Sequence, residues 1–382
     1  MNAIPYGKQE ILDEDVQAVS DALRSKFLTQ GPAVAEFEKR FAEYVGSRYA
    51  VAVSNGTAAL HLSALSLGVK SGQKVLCTAM TFAASANCIQ YCGAEVEFVD
   101  IDPMTYCIDY NLLADKITNS PSGTYAGVIV VDFTGYPVDM EKIHNLTSPH
   151  GMWIIEDACH APGGAFHDSQ GKWQKCGNGQ FADLAIFSFH PVKHIASGEG
   201  GAITTNDEQL YKKILLLRTH GITKDPAQME SFDGGWYYEM QELGYNYRLP
   251  DMLCALATSQ LSRAEHNLSR RRLVADRYDR ELAELPIKLP YRDSTVQHAF
   301  HLYVIQTERR RELYDFLASK NIFSQVHYVP VPDLPYYKRK GYSSADTPEA
   351  RNYYEHCLSI PMFHSLTSDE QTYVIQALKE FF

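Results

Sequence analysis

The chain has 382 residues, 45% of them hydrophobic and 21% charged, a length that suits about two to three domains with sizeable cores. Aromatic residues make up 12%, too much apolar surface for large-scale disorder. A formal charge of −11 and a pI near 5.7 exclude the concentrated basic surface of a duplex nucleic-acid binder. Phosphate-sized anions stay open, because helix ends and a few loop cations bind them on acidic proteins too.

The eight cysteines are too sparse for a disulfide scaffold, and no CxxC marks a zinc ribbon. Residues 1–6 carry neither a basic segment nor an apolar stretch, so no leader peptide is expected. No run approaches the roughly 18 apolar residues of a membrane span. A reducing, cytoplasmic setting is the expectation.

Val16, Val19, Leu23 and Phe27 recur at helical spacing, with Asp13 available as a cap, and predict a helix over 13–27. Thr29-Gln30-Gly31-Pro32 breaks the pattern, and a second helix is predicted over 34–45, ended by Gly46. From 49 to 205 short apolar strands alternate with helices. Strands are predicted at 49–53, 74–78, 95–100, 126–132, 152–156, 183–189 and 201–205, with helices at 57–67, 82–91 and 139–146 among them. That alternation predicts an α/β fold with a mostly parallel central sheet covered on both faces.

A helix is predicted over 207–219, a long aromatic-rich loop over 222–248 and a long helix over 251–283. After Pro286 the pattern becomes that of a small C-terminal α+β domain. Strands at 301–306 and 324–328 flank a helix at 309–320, and a closing helix covers 368–381. The expected division is a large domain over 1–250 and, over 251–382, a long connecting helix with the small domain. Residues 1–32 are expected to pack on the small domain.

Four segments carry chemistry. Ser54-Asn55-Gly56-Thr57 joins a strand to a helix, and small residues there let a ligand reach free backbone N–H groups. The same pattern serves an ordinary capped turn, and it lacks the Gly-Lys-Ser/Thr of a Walker loop. Ile154-Ile155-Glu156-Asp157-Ala158-Cys159-His160 places two carboxylates at the end of a buried strand, the edge where open α/β sheets bind ligands. They suit a protonated ring nitrogen, a metal, a substrate hydroxyl or a helix cap. Phe187-Ser188-Phe189-His190-Pro191-Val192-Lys193-His194 delivers Ser188 and then Lys193 on a Pro-bent loop before Ser197-Gly198-Glu199-Gly200-Gly201. A desolvated lysine amine is nucleophilic and forms a Schiff base with a carbonyl. His190 and His194 superficially resemble a zinc pair, but Pro191 stands where the glutamate of HExxH belongs, so no metal is expected. In Gly244-Tyr245-Asn246-Tyr247-Arg248, Asn246 and Arg248 could meet an anion or form a surface turn. A phosphate cup, an acid and a strand-end lysine are together the parts that pyridoxal phosphate needs.

The chain resembles the DegT/DnrJ/EryC1/StrS sugar aminotransferases over nearly its whole length. The matching stretches are LTQGP at 28–32, SNGTAAL at 54–60, IIEDACHAPGG at 154–164, FSFHPVK at 187–193, GEGGAI at 198–203, GYNYRLPD at 244–251 and VHYVP at 326–330. The resemblance implies a fold-type-I pyridoxal-phosphate enzyme, a homodimer with shared active sites. By the same resemblance Lys193 holds the cofactor and moves protons, and Asp157 meets the ring nitrogen. His160 lies near the ring hydroxyl and Phe82 stacks on the ring. Gly56, Thr57 and Ser188 form the phosphate cup, with Asn246 lent by the second subunit. Members that dehydrate carry His in place of the lysine, so Lys193 favours transamination.

Within the family, IPYGKQEI, SKFLTQGP, SFHPVKHI and SQVHYVPV resemble the subgroup on the pseudaminic acid route. That subgroup aminates C4 of a UDP-linked 4-keto-6-deoxy-N-acetylhexosamine, with L-glutamate as donor. It implies sugar-nucleotide contacts at Tyr6, Lys26, Thr29, His327, Tyr328 and Tyr337. The rivals are a dTDP- or GDP-linked ketosugar as acceptor, a dehydrase or metal hydrolase, and a non-catalytic sensor that keeps the fold.

Overall fold

The computed structural model describes residues 3–382. Met1 and Asn2, part of the opening read for a leader, lie outside the described residues. The centre is a seven-stranded sheet built from β1 (Tyr49–Val53), β2 (Lys74–Thr78), β3 (Glu95–Val99), β4 (Tyr125–Val131), β5 (Trp153–Asp157), β6 (Leu184–Ser188) and β7 (Gly201–Thr205). Their order across the sheet is β1-β7-β6-β5-β4-β2-β3. Six strands run parallel and only β7 runs against its neighbours, Gly201 facing Ser188 on one side and Val53 on the other. The reversal follows from the connection. β6 and β7 are joined directly by a loop, which permits an antiparallel pair, whereas the parallel strands need crossovers.

These strands are short and almost wholly apolar because helices cover both faces. On one face lies α3 (Gly56–Ser66), buried on nearly every side, with α4 (Ala83–Tyr91) beside it. On the other, α2 (Pro32–Val45) and α8 (Asp251–Leu261) enclose Phe37, Phe41, Phe187 and Phe189. Phe41 meets Phe187 edge-on at 4.9 Å and Phe189 at 5.3 Å. These contacts fix β6 and the start of the loop that bears Lys193.

The predicted long helix over 251–283 is two helices. α8 ends at Leu261 and α9 (Ala264–Leu282) begins after a turn at Ser262 and Arg263. Ser262 donates to the Ser259 carbonyl at 2.6 Å. Arg263 pairs with Asp15 of α1 (Asp13–Arg24), while Gln260 donates to Asp15 at 2.9 Å and to the Glu10 carbonyl at 3.0 Å. No glycine or proline marks the break, so the periodicity runs through it. Elements beyond the sequence expectation include a helix at Tyr110–Thr118, a hairpin of Ala165–His167 with Trp173–Lys175, and a helix at Pro348–His356. Inside the predicted loop over 222–248, Ile222–Thr223 pairs with Glu239–Met240.

The C-terminal part has its own core of Val274, Tyr278, Tyr303, Leu317, Phe363 and Leu378. Its strands, Tyr303–Gln306 and Cys357–Ile360, pair antiparallel. Ile4–Pro5 adds a parallel partner to Ile322–Phe323 there. Among the described residues no helix is long and apolar enough to cross a membrane.

Candidate active site

The carboxyl ends of β1, β2, β5 and β6 converge on a cavity of about 510 Å³, the position that an open α/β sheet offers to a ligand. Its floor is the first turn of α3. Asn55 caps that helix by accepting from the Ala58 N–H at 2.8 Å. The first-turn amides have no intrahelical acceptors and carry the positive end of the dipole. Close approach requires glycine at 201, where a Cβ would stand 2.6 Å from the Asn55 backbone, and the fit is tight at Gly56, where a Cβ would stand 3.1 Å from the Ser188 Cβ.

Asp157 ends β5 and turns into the cavity. Its carboxylate accepts from the Ser85 hydroxyl at 2.7 Å and from the Cys159 N–H at 3.2 Å. Thr81 lies 2.8 Å from Ser85 and extends the chain. The acid is therefore held by two donors before any ligand meets it.

Lys193 follows a turn closed by its own N–H to the His190 carbonyl at 2.8 Å. Phe189 and Gly200 bond across the base of this loop at 2.8 Å. The Lys193 amine lies 3.5 Å from Nε2 of His301. Burial is the main influence on it and pushes its pKa below the ordinary lysine range. Arg271 acts the same way, and Cys159 and Asp157 oppose it. His160 is buried with Nε2 3.4 Å from the Tyr328 hydroxyl, and burial holds its imidazole well below its usual pKa. His327 donates or accepts at Ser359 (2.9 Å) and is pushed down to about 3, again mainly by burial.

Ten of the residues singled out from sequence thus share one cavity. Gly56 and Thr57 lie at the α3 end, and Asp157, His160, Ser188, Lys193, Phe82, Tyr6, His327 and Tyr328 complete the lining. Phe82 is exposed at the rim, 6.0 Å from the Tyr328 ring. Lys26, Thr29 and Asn246 lie outside the cavity and are exposed. Tyr337 also lies outside the cavity lining. It is fully buried, packs edge-on against Phe98 and Tyr342, and donates to Asn87 at 2.8 Å, so its ring and hydroxyl are used in the core. Sequence reasoning missed Ser85, Thr81 and His301. Ser85 is 72 positions from Asp157 and His301 is 108 from Lys193, and no local motif joins them.

An amine, a fixed carboxylate and a helix N-terminus within one cavity fit the carbonyl, ring nitrogen and phosphate of pyridoxal phosphate. Comparison with known proteins agrees: residues 9–379 match the model of the DegT/DnrJ/EryC1/StrS aminotransferase family. The chain belongs to this family. It is a pyridoxal-phosphate-dependent sugar aminotransferase, and its reaction takes a nucleotide sugar and an amino donor. Among its relatives in the DegT/DnrJ/EryC1/StrS family is a UDP-4-amino-4,6-dideoxy-N-acetyl-beta-L-altrosamine transaminase of Campylobacter jejuni, 37% identical over 98% of this chain and 96% of the relative. Another is a GDP-perosamine synthase of Escherichia coli O157:H7, 32% identical over 100% and 99%. A putative sugar aminotransferase from Streptococcus pneumoniae, solved in its PMP form, superposes with a TM-score of 0.90 at 30% identity over 99% and 97%.

Proposed function

We propose that the chain transfers an amino group from L-glutamate to C4 of UDP-2-acetamido-2,6-dideoxy-β-L-arabino-hex-4-ulose. The observation that carries the chemistry is the Lys193 amine in one cavity with Asp157 and the α3 N-terminus. The choice of sugar rests on the 37% identity with the altrosamine transaminase across 98% of the chain. A GDP-linked 4-ketosugar is the second reading, favoured by the GDP-perosamine synthase at 32% identity.

Pyridoxal phosphate supplies an electrophilic carbonyl and an electron-accepting ring. In this reading Lys193 holds that carbonyl carbon and carries the proton at sugar C4. Asp157, fixed by Ser85 and Cys159, keeps the ring nitrogen protonated. The α3 amides with Thr57 and Ser188 take the phosphate, His160 stands near the ring hydroxyl and Phe82 covers the ring. Tyr6, His327 and Tyr328 face the acceptor.

Lys26, Thr29 and Asn246 act from a second copy of the chain, in a homodimer. Exposed Phe27 and Leu28 beside the first two, and Trp236 and Leu243 before the third, support burial of these segments against another subunit. A cytoplasmic location and a division at residues 250 and 251 complete the proposal.

The test has two parts. Glutamate should convert the cofactor-loaded protein to its amine form, and only the right ketosugar should restore the starting spectrum. Mass spectrometry and NMR of the product then identify the sugar, and restoration by the GDP-linked compound alone would favour the second reading. Lys193→Ala should lose roughly 10²–10⁴-fold or more of glutamate turnover, and steady retained turnover would overturn the role of Lys193.

A further inference from the structure

Behind the Lys193 loop lies a group of buried histidines. The His301 ring is 4.3 Å from that of His160 and 5.8 Å from that of His194. Of these, His301 alone comes within reach of the Lys193 amine. Its other nitrogen, Nδ1, is buried with no hydrogen-bond partner among the described residues. The titratable and charged groups whose charge is felt at the amine, or which feel it, are Asp157 and Cys159 at the end of β5, Arg271 on α9, and His160, His194, His301 and His327.

The backbone at His301 is held from outside the cavity. Nη1 of Arg271, fully buried on α9, donates to the carbonyls of Phe300 (3.1 Å), His301 (3.3 Å) and Met362 (3.1 Å). Phe300 has a positive φ of 49°, a conformation that a bulky residue adopts only when its surroundings impose it. Its N–H donates to His298 Nδ1 at 2.8 Å. Arg271 and His298 together fix where the His301 ring points.

We infer that His301 is a positioning residue that selects the neutral form of the Lys193 amine, with Arg271 holding it in place. The argument concerns tautomers. An ammonium at Lys193 requires Nε2 of a neutral His301 to accept, which puts the ring proton on Nδ1, a buried site with no acceptor. Orphaned buried N–H groups are rare because each forfeits its hydrogen bond with water. With a neutral amine, Nε2–H donates to the amine lone pair and Nδ1 is left as an unprotonated nitrogen, the lesser penalty. The imidazole thus favours the free base that takes up and hands on a proton. This role rests on Lys193 being the reactive lysine of the proposed function.

The measurement is the pH dependence of Lys193 acylation by trace acetic anhydride in the cofactor-free protein, read by mass spectrometry of the Lys193 peptide. In the wild type the midpoint should lie below the ordinary lysine value of about 10.4. His301→Phe should raise it by about one unit, a tenfold loss of acylation near pH 8. A folded His301→Phe protein with the wild-type midpoint would overturn the inference. His301→Leu replaces it if the Phe variant does not fold. Borohydride reduction of the loaded enzyme, followed by mapping of the pyridoxyl group, is a separate control. A label elsewhere than Lys193 would sink the proposed function while the acylation result still reports on the His301–Lys193 pair.

Discussion

Glu156 and Asp157 are neighbours on β5 and almost equally buried, at 3% and 5% exposure, yet they belong to different regions. The pleat sends successive side chains to opposite faces. Asp157 turns into the cavity, where Ser85 and Cys159 orient it. Glu156 turns away and accepts from the Gly177 N–H at 3.0 and 3.1 Å. There it faces Asp132 and Cys176, their ligand-type atoms all within 4.8 Å of one another. Burial drives Asp132 up to about 7 and Glu156 well above the carboxylate range; the nearby Asp132 raises Glu156 further, while the contact with Glu156 pulls Asp132 back down. The pair therefore keeps a proton at neutral pH. Residue type and burial are the same in the two regions. What separates an acid that can meet a ligand from one that is sealed in the core is parity along the strand.

Three substitutions sharpen that contrast. The largest effect is expected for Asp157→Asn, which leaves the shape and removes the charge. Turnover should fall by roughly 10²–10⁴-fold with thermal stability little changed, as read by glutamate half-reaction rates beside a melting curve. Equal loss in a Glu156→Gln protein would erase the distinction. Ser85→Ala removes one donor to a charged acceptor, worth about 1.5–3 kcal/mol. A tenfold or larger fall in turnover, with Asp157 still present, would be seen in the same assay, and an unaltered rate would show that Cys159 N–H suffices to orient the acid.

Glu156→Gln should leave turnover unchanged and alter the pH profile of stability instead. Both sealed acids hold protons in the folded chain at pH values where the unfolded chain has released them, so stability falls as pH rises from about 4 through about 7. Glutamine keeps an oxygen for Gly177 and removes one titration. The melting temperature should then decline less steeply from acid to alkaline pH, and an identical slope in scanning calorimetry would contradict the shared-proton reading.

The legible parts of the molecule are those written in contiguous residues. The parallel strands read clearly because each is a short apolar run, and Gly56, Asp157, Ser188 and Lys193 read clearly because each stands at a strand end beside small or polar neighbours. The pairings across the chain were not legible. Ser85 sits inside a helical run with no mark of function until the fold brings it to Asp157, and His301 precedes the strand Tyr303–Gln306 with no motif pointing to Lys193. The α8–α9 break was hidden for a similar reason, since its determinants are Asp15 and Glu10 far away in sequence. Tyr337 is a different case: the resemblance implies a ligand contact, and in this structure its ring packs in the core outside the cavity lining.

The position of β7 also bears on how the chain is made. β1 is among the first strands to leave the ribosome, but its neighbour in the sheet is β7, the last of the seven. At about 5–20 residues per second, β1 waits roughly 7–30 s for its partner. Until then the nascent sheet has an open edge, with β6 on one side of the gap and β1 on the other. A chain stopped just before Gly201 would carry Lys193 and Asp157 and still lack the strand that seats α3 beside them. Ribosome pausing ahead of that codon would lengthen the interval in which the unfinished protein is open to aggregation or to chaperones.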